Sequence, residues 1–255
     1  MTLTFADWVA SQFWLGFFVF LRVGGVVGLA PGLGEQFLPA RIRLVIAVLL
    51  TVLVVPLTPE ITLDTLGVSQ LFSIFFIEMA IGLLLGIGVR AFVFALHIAG
   101  SIAAQATSLA QLAGSNVTEP APAVGQVLVI SGLALAMIMR LPEHLVVYLV
   151  KSYAIFPFGA LPLTEGVVPW GIRGLASTFS LGFQLAAPFV AISLLYNLTL
   201  GVINRAMPQL MVVFIGAPAI TASSLILLAL LASVMTMVWW QAFEAYLMAP
   251  FPVQP

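Results

Sequence analysis

The sequence predicts an all-α integral membrane protein, and three observations carry that reading. Of 255 residues, 62% are hydrophobic and only 7% charged, against about a quarter charged in a soluble domain; a water-facing surface cannot be built from that supply. The apolar residues are gathered into long runs, and about 20 in succession cross a bilayer. Those runs must be helices, because an isolated strand leaves its backbone groups unpaired in hydrocarbon. The composition also excludes function classes. There is no cysteine, hence no disulfide or thiol chemistry. The net charge is −1 and no basic tract exists to hold nucleic acid. Residues 1–255 read as one membrane domain without a separate soluble domain, in contact with membrane lipid and arranged as helical hairpins kinked at Pro and Gly.

The first apolar run, 10–30, follows Asp7 and has no Lys or Arg ahead of it. That is a poor signal peptide, so the run is expected to stay as a helix. It holds Arg22 and a Gly24-x-x-x-Gly28 spacing of the kind that brings helix backbones close. Arg41 and Arg43 flank the link to the second run, 42–57, and Glu60 and Asp64 follow it. The positive-inside rule puts the first link in the cytoplasm and the second outside. The third run, 71–96, carries Glu78, Gly82-x-x-x-Gly86 and Arg90. A charge at mid-bilayer costs at least about 2.5–3.5 kcal/mol, so Arg22, Glu78 and Arg90 must each face protein or water. Glu78 and Arg90 lie about 18 Å apart on a straight helix, so each needs a partner elsewhere. They are either an ion or proton relay or members of interhelical or intersubunit ion pairs.

Residues 98–118 are small and polar. Ala99, Ala103, Ala106, Ala110 and Ala113 recur at helical spacing on one face, and Ser101, Gln105, Ser108 and Gln111 on another. Such a helix favours close protein neighbours over lipid tails. The stretch SNVTEPAP, 115–122, breaks it. The fourth run, 123–139, is short for a span, like the second. Residues 140–173 collect Arg140, Glu143, His144, Lys151, Glu165 and Arg173 and are expected at the membrane interface. The last two runs, 174–203 and 209–240, are over-long, with Pro188 and Pro218 as expected kink points.

Between those runs, Ser193, Asn197, Gly201 and Arg205 fall on one helix face, with Asn204 beside them, before Met207-Pro208-Gln209 breaks the helix. This is either a surface hairpin with Arg205 snorkelling or a turn docked against partner subunits. His97 and His144 are the two histidines, and neither an HExxH nor a GxSxG motif occurs. The expectation is a protein that is not an enzyme and takes neither metal nor cofactor.

Three stretches resemble a known family: LAPGLGEQFLPARIRLVIAVLLTVLVVP (29–56), EMAIGLLLGIGVRAFVFALHIAGSIAAQ (78–105) and LAAPFVAISLLYNLTLGVINRAMPQLMVVFIGAP (185–218). The sequence is similar to the FliR family, the flagellar export-gate subunits of type III secretion. Its sharpest points are Pro39-x-Arg41-x-Arg43, Glu78-x-x-x-Gly82-x-x-x-Gly86 and Arg205-x-x-Pro208-Gln209. It departs from the family pattern at Thr118-Glu119-Pro120 and at Pro142-Glu143-His144. The resemblance implies one copy of this subunit joined to several copies of two sister subunits, FliP-like and FliQ-like. Together these form a cone-like gate in the basal body in the bacterial inner membrane, with an FlhB-like switch subunit beside it. Unfolded flagellar proteins pass through, driven by proton-motive force and an ATPase. A loop of this subunit is implied to plug the closed pore; the corresponding segment is roughly 106–122, and the pore or plug candidates are Gln105, Ser108, Gln111, Ser115, Asn116, Glu119 and Pro120. Arg22, Arg41, Arg43, Glu78, Arg90, Asn197, Asn204, Arg205, Pro208 and Gln209 are the buried or intersubunit polar candidates. The competing reading is a small-solute secondary transporter with a broken-helix site near 201–218. It would need a matching broken segment in the other half of the chain, and none is found.

Overall fold

A computed structural model describes residues 5–35, 37–58, 67–108, 123–160, 167–207 and 212–249. Among them there is no strand. The helices are α1 (Phe5–Leu29), α2 (Ala40–Val54, extended by a 3-10 turn Val55–Leu57), α3 (Val68–Ser108), α4 (Ala123–Ile138), α5 (Leu141–Ile155), α6 (Val167–Ala206) and α7 (Val212–Met248). Among the described residues, five contain stretches long and apolar enough to cross a membrane; α4 and α5 reach that length only as a pair, bent by 76° at their junction.

The helix ends follow from local chemistry. After α1 the chain turns through Pro31 and Gly32; Gly32 has φ of +75°, open to a residue without a Cβ, and the Gly34 N–H closes back on the Ala30 carbonyl at 2.8 Å. Pro39 precedes α2 in an extended conformation, and its carbonyl accepts from the Ile42 and Arg43 N–H groups. Pro56 stands in the 3-10 turn that ends α2, where its missing N–H removes no helix bond. Arg140 sits in the left-handed region at φ 59°, with Pro142 in the first turn of α5. That pair accounts for the bend: Arg140 ends one helix and Pro142 is pre-set to start the next.

The chain divides into two compact units. One comprises residues 1–91, 136–175 and 243–255, the other 92–135 and 176–242. The first unit has a core of Phe18, Val19, Val23 and Val26 from α1, Ile81 and Leu85 from α3, Leu141, Leu145 and Leu149 from α5, and Leu247 from α7. In the second, Leu96 and Ala99 of α3, Leu128 of α4, Phe189 of α6 and Trp239 of α7 are buried. Small residues set the spacing here. A Cβ on Gly100 would collide with the backbone of Gly125, so α3 and α4 touch main chain to main chain. The Trp239 indole donates to the Phe92 carbonyl at 2.7 Å, satisfying a buried N–H.

One sequence expectation needs correction. In α1 it is Gly25, not Gly24 or Gly28, that makes the close approach. A Cβ on Gly25 would lie 2.5 Å from the carbonyl carbon of Gly82, whereas nothing stands within 4 Å at Gly24 or Gly28. The spacing motif was present, but its register had to come from the partner helix. Residues 140–173, expected at the membrane interface from their charges, also supply part of the core of the first unit. They contain α5, whose Leu141, Leu145, Tyr148, Leu149, Ser152 and Tyr153 are buried, because this spacing of three and four lines one helix face.

Candidate functional site

The polar residues that sequence alone left unpaired gather at a buried hub in the first unit. Arg22 of α1 and Glu78 of α3 both have side chains with 0% exposure. Arg22 Nε donates to Glu78 Oε2 at 2.7 Å and Nη2 donates to Oε1 at 3.0 Å, a two-pronged pair. Nη1 donates to Ser152 Oγ of α5 at 3.2 Å, and Nη2 donates again to the Phe156 carbonyl at 3.1 Å. The guanidinium carbon stands 3.7 Å from the centre of the Tyr153 ring, a cation–π geometry. From the other side, the Gly159 N–H donates to Glu78 Oε1 at 3.0 Å. Gly159 has φ of +66°, a backbone state glycine adopts without penalty.

The hub therefore ties α1, α3, α5 and the turn after α5 to one ion pair. A buried pair repays its desolvation only when its remaining donors and acceptors are also met, and here they largely are. Sequence reasoning found Arg22 and Glu78 but not Ser152, Tyr153, Phe156 or Gly159. A serine, two aromatics and a glycine carry no signal of their own until the fold brings them to the guanidinium.

Arg90 of α3 pairs instead with Glu35, at 2.5 Å from Nη1 to Oε1, and both side chains are partly open to solvent. Glu35 was not a sequence candidate. Arg41 and Arg43 start α2, Arg41 exposed and Arg43 half-buried, with Arg43 Nε enclosed and without a hydrogen-bond partner. A further cluster lies where α5 meets the end of α7: Tyr148 donates to the Leu85 carbonyl at 3.3 Å and shares a hydrogen bond with Tyr246 at 3.2 Å. His144 Nε2 lies 3.3 Å from Glu244 Oε1.

In the second unit, the Ser193 hydroxyl donates to the Ala106 carbonyl of α3, and the Asn197 amide donates to Ser193 Oγ at 3.3 Å. Gln105 of α3 is exposed and Ser108 is the last residue of that helix. Asn204 and Arg205 are exposed in the final turns of α6. Gln111, Ser115, Asn116, Glu119, Pro120, Pro208 and Gln209 lie outside the described residues. Among the described residues no group of three or more His, Asp or Glu is placed to hold a metal ion.

The sequence model of the family described as Bacterial export proteins, family 1, matches residues 13–246. The chain is 36% identical over 247 residues to a flagellar biosynthetic protein FliR of Caulobacter vibrioides, covering 93% of this chain and 96% of the relative. It is 28% identical to proteins of the same name from Escherichia coli and Bacillus subtilis. Those alignments cover 82% and 89% of this chain, and 83% and 89% of the relatives.

Proposed function

Because this chain belongs to the bacterial export proteins, family 1, we propose that it is a structural and gating subunit of the flagellar type III protein export apparatus. It is a component of that apparatus rather than an enzyme. With FliP-like and FliQ-like sister subunits, and an FlhB-like switch subunit beside them, it forms the pore through which unfolded flagellar proteins leave. It works as one membrane domain in the bacterial inner membrane at the flagellar basal body. The single observation that carries this reading is the family match across 13–246, together with relatives that are flagellar biosynthetic proteins aligned over most of their length.

The helices support a subunit clad in polypeptide. Exposed apolar side chains run along α6 from Val168 to Ile203, about 50 Å of helix at about 1.5 Å per residue. The hydrocarbon core is about 30 Å thick, and even a tilt of about 40° does not bring that length within it. The excess apolar surface needs protein cover. Only 17% of the apolar stretch of α6 is buried within this chain, so the cover comes from other chains. The family match does not favour the alternative of a small-solute transporter.

Two experiments test the reading. A tagged copy purified from mild detergent is expected to bring down two other membrane proteins, at least one in molar excess. Recovery of the chain alone, or as a small homo-oligomer, would overturn the assignment. Residues 106–122, Gln105 with them, are assigned the role of blocking the channel at rest. Deleting 110–118 is expected to leave the complex assembled and to let ions or small solutes leak through it in vesicles. A deleted complex as tight as the intact one would remove the plug from the account.

A further inference from the structure

The hydroxyls of Thr51, Ser73, Ser131, Thr199, Ser223 and Thr236 each donate to the carbonyl four residues back on their own helix, the usual resort of a serine or threonine in an apolar helix. Ser193 of α6 departs from that habit. It is buried, at 5% exposure, and its hydroxyl donates across to the Ala106 carbonyl of α3. One turn on, the Asn197 amide donates to Ser193 Oγ at 3.3 Å. A hydroxyl has one hydrogen and two lone pairs. With Oγ accepting from Asn197, its hydrogen is left for Ala106.

The donor arrives where a helix needs one. α3 ends at Ser108, so the Ala106 carbonyl is among its last four, which have no N–H of their own helix to accept from. In apolar surroundings such a group must find a donor elsewhere. The two helices are in register at this point. A Cβ on Gly182 of α6 would stand 3.0 Å from Ile98 Cγ2 and 3.1 Å from the Ala95 carbonyl oxygen of α3, and Ala186 and Phe189, both at 0% exposure, continue that face. From Gly182 to Ser193 is 11 residues, as it is from Ala95 to Ala106. α6 therefore runs alongside α3 for about 16 Å, and Ser193 takes hold of its last turn.

We propose that Ser193, aimed by Asn197, is the residue that positions the resting block of the channel. This rests on the blocking role assigned above to 106–122 and deepens it: Ala106 is the first residue of that segment, and the bond from Ser193 fixes where the chain leaves α3. Gly182, Ala186 and Phe189 hold the two helices together by packing that a working cycle need not disturb. A single hydrogen bond is different. Its net worth is roughly three- to tenfold in an equilibrium constant, little enough to be broken and remade each time the channel opens. The Ser193 hydroxyl has a second acceptor in reach of its own helix, the Phe189 carbonyl four residues back. Turning to it releases Ala106 without leaving the hydroxyl unpaired.

The test measures ion leak from vesicles that hold the assembled complex, scored per complex recovered. Ser193→Ala removes the donor and is expected to raise resting leak roughly three- to tenfold, with the co-purifying subunits unchanged. Ser193→Thr keeps the hydroxyl and is expected to stay as tight as the unaltered chain. In a chain already lacking 110–118, Ser193→Ala is expected to add nothing, because the segment it positions is gone. If the deletion opens the channel while Ser193→Ala stays tight, or if Ser193→Thr leaks like the alanine variant, the positioning role falls and the plug stands. If Ser193→Ala adds its own leak to that of the deletion, the hydroxyl acts on helix packing alone and the role falls likewise. A deletion as tight as the intact complex removes the plug, and the role of Ser193 with it.

Discussion

Replacing Arg22 with alanine is expected to destabilise the protein by about 3–5 kcal/mol, the cost of leaving a buried charge without its partner. Glu78 would lose both prongs of its pair and keep only the Gly159 N–H, with no water at hand, since its side chain is wholly buried. Ser152 would be less affected, because its hydroxyl donates to the Leu149 carbonyl at 2.6 Å. Glu78→Ala should be as damaging for the mirrored reason. A double replacement, Arg22→Met with Glu78→Leu, removes both charges and keeps the volume. It should recover much of the loss but not all, because the Gly159 N–H loses its acceptor on Glu78, at about 1–3 kcal/mol.

Thermal unfolding in detergent, followed by tryptophan fluorescence, measures this series directly. Single variants no less stable than the double one would show that the pair does not hold the first unit together. A relay role for Glu78 makes a different prediction: the double variant would assemble normally and fail to export under proton-motive force. By contrast, Glu35→Gln should cost under about 1 kcal/mol, because the Glu35–Arg90 pair is partly solvated.

Gly82→Val is expected to produce the second large effect. A Cβ there would sit 2.5 Å from the Arg22 carbonyl oxygen and 2.8 Å from its Cα. Both are backbone atoms that no rotamer change can move, so α1 and α3 must part. Glu78 is one turn before Gly82, and Arg22 one turn before Gly25, so the spacing set by the two glycines is also the spacing at which Arg22 reaches Glu78. Widening it breaks the hub, and the loss should therefore not add to that of Arg22→Ala. A double-mutant cycle is expected to show coupling of about 0.5–3 kcal/mol, as for residues in direct contact. Gly24→Ala and Gly28→Ala serve as controls. Open space surrounds both, and replacing a mid-helix glycine should be neutral or stabilise by up to about 1 kcal/mol. Controls as damaging as Gly82→Val would mean that backbone contact is not the cause.

Fold class and the approximate course of the helices were legible in composition and in the lengths of the apolar runs, because a membrane-embedded backbone has few ways to satisfy its hydrogen bonds. The need for partners at Arg22, Glu78 and Arg90 was legible for the same reason: a charge in an apolar run cannot stand alone. The break at Arg140-Leu141-Pro142 was only half visible. Its proline was plain, but the helix on its far side was hidden among charged residues, because the buried face of α5 is spread over every third and fourth position. The apolar run 71–96 and the small, polar stretch 98–118 read as two segments, yet 71–96 and the part of the second up to Ser108 form one helix, α3, since small residues interrupt hydropathy without interrupting a backbone ladder.

By itself, then, the sequence determined that this is an all-α membrane protein with charges that must be paired and helix faces too polar for lipid. Only the tertiary structure decided which charges meet, Arg22 with Glu78 and Arg90 with Glu35, and which glycine of α1 touches α3. The physical reason is the range of the interactions. Backbone satisfaction and hydrophobic run length are local properties of the chain, whereas a salt bridge or a backbone contact depends on the register between two helices. That register is set by the packing of every side chain along both.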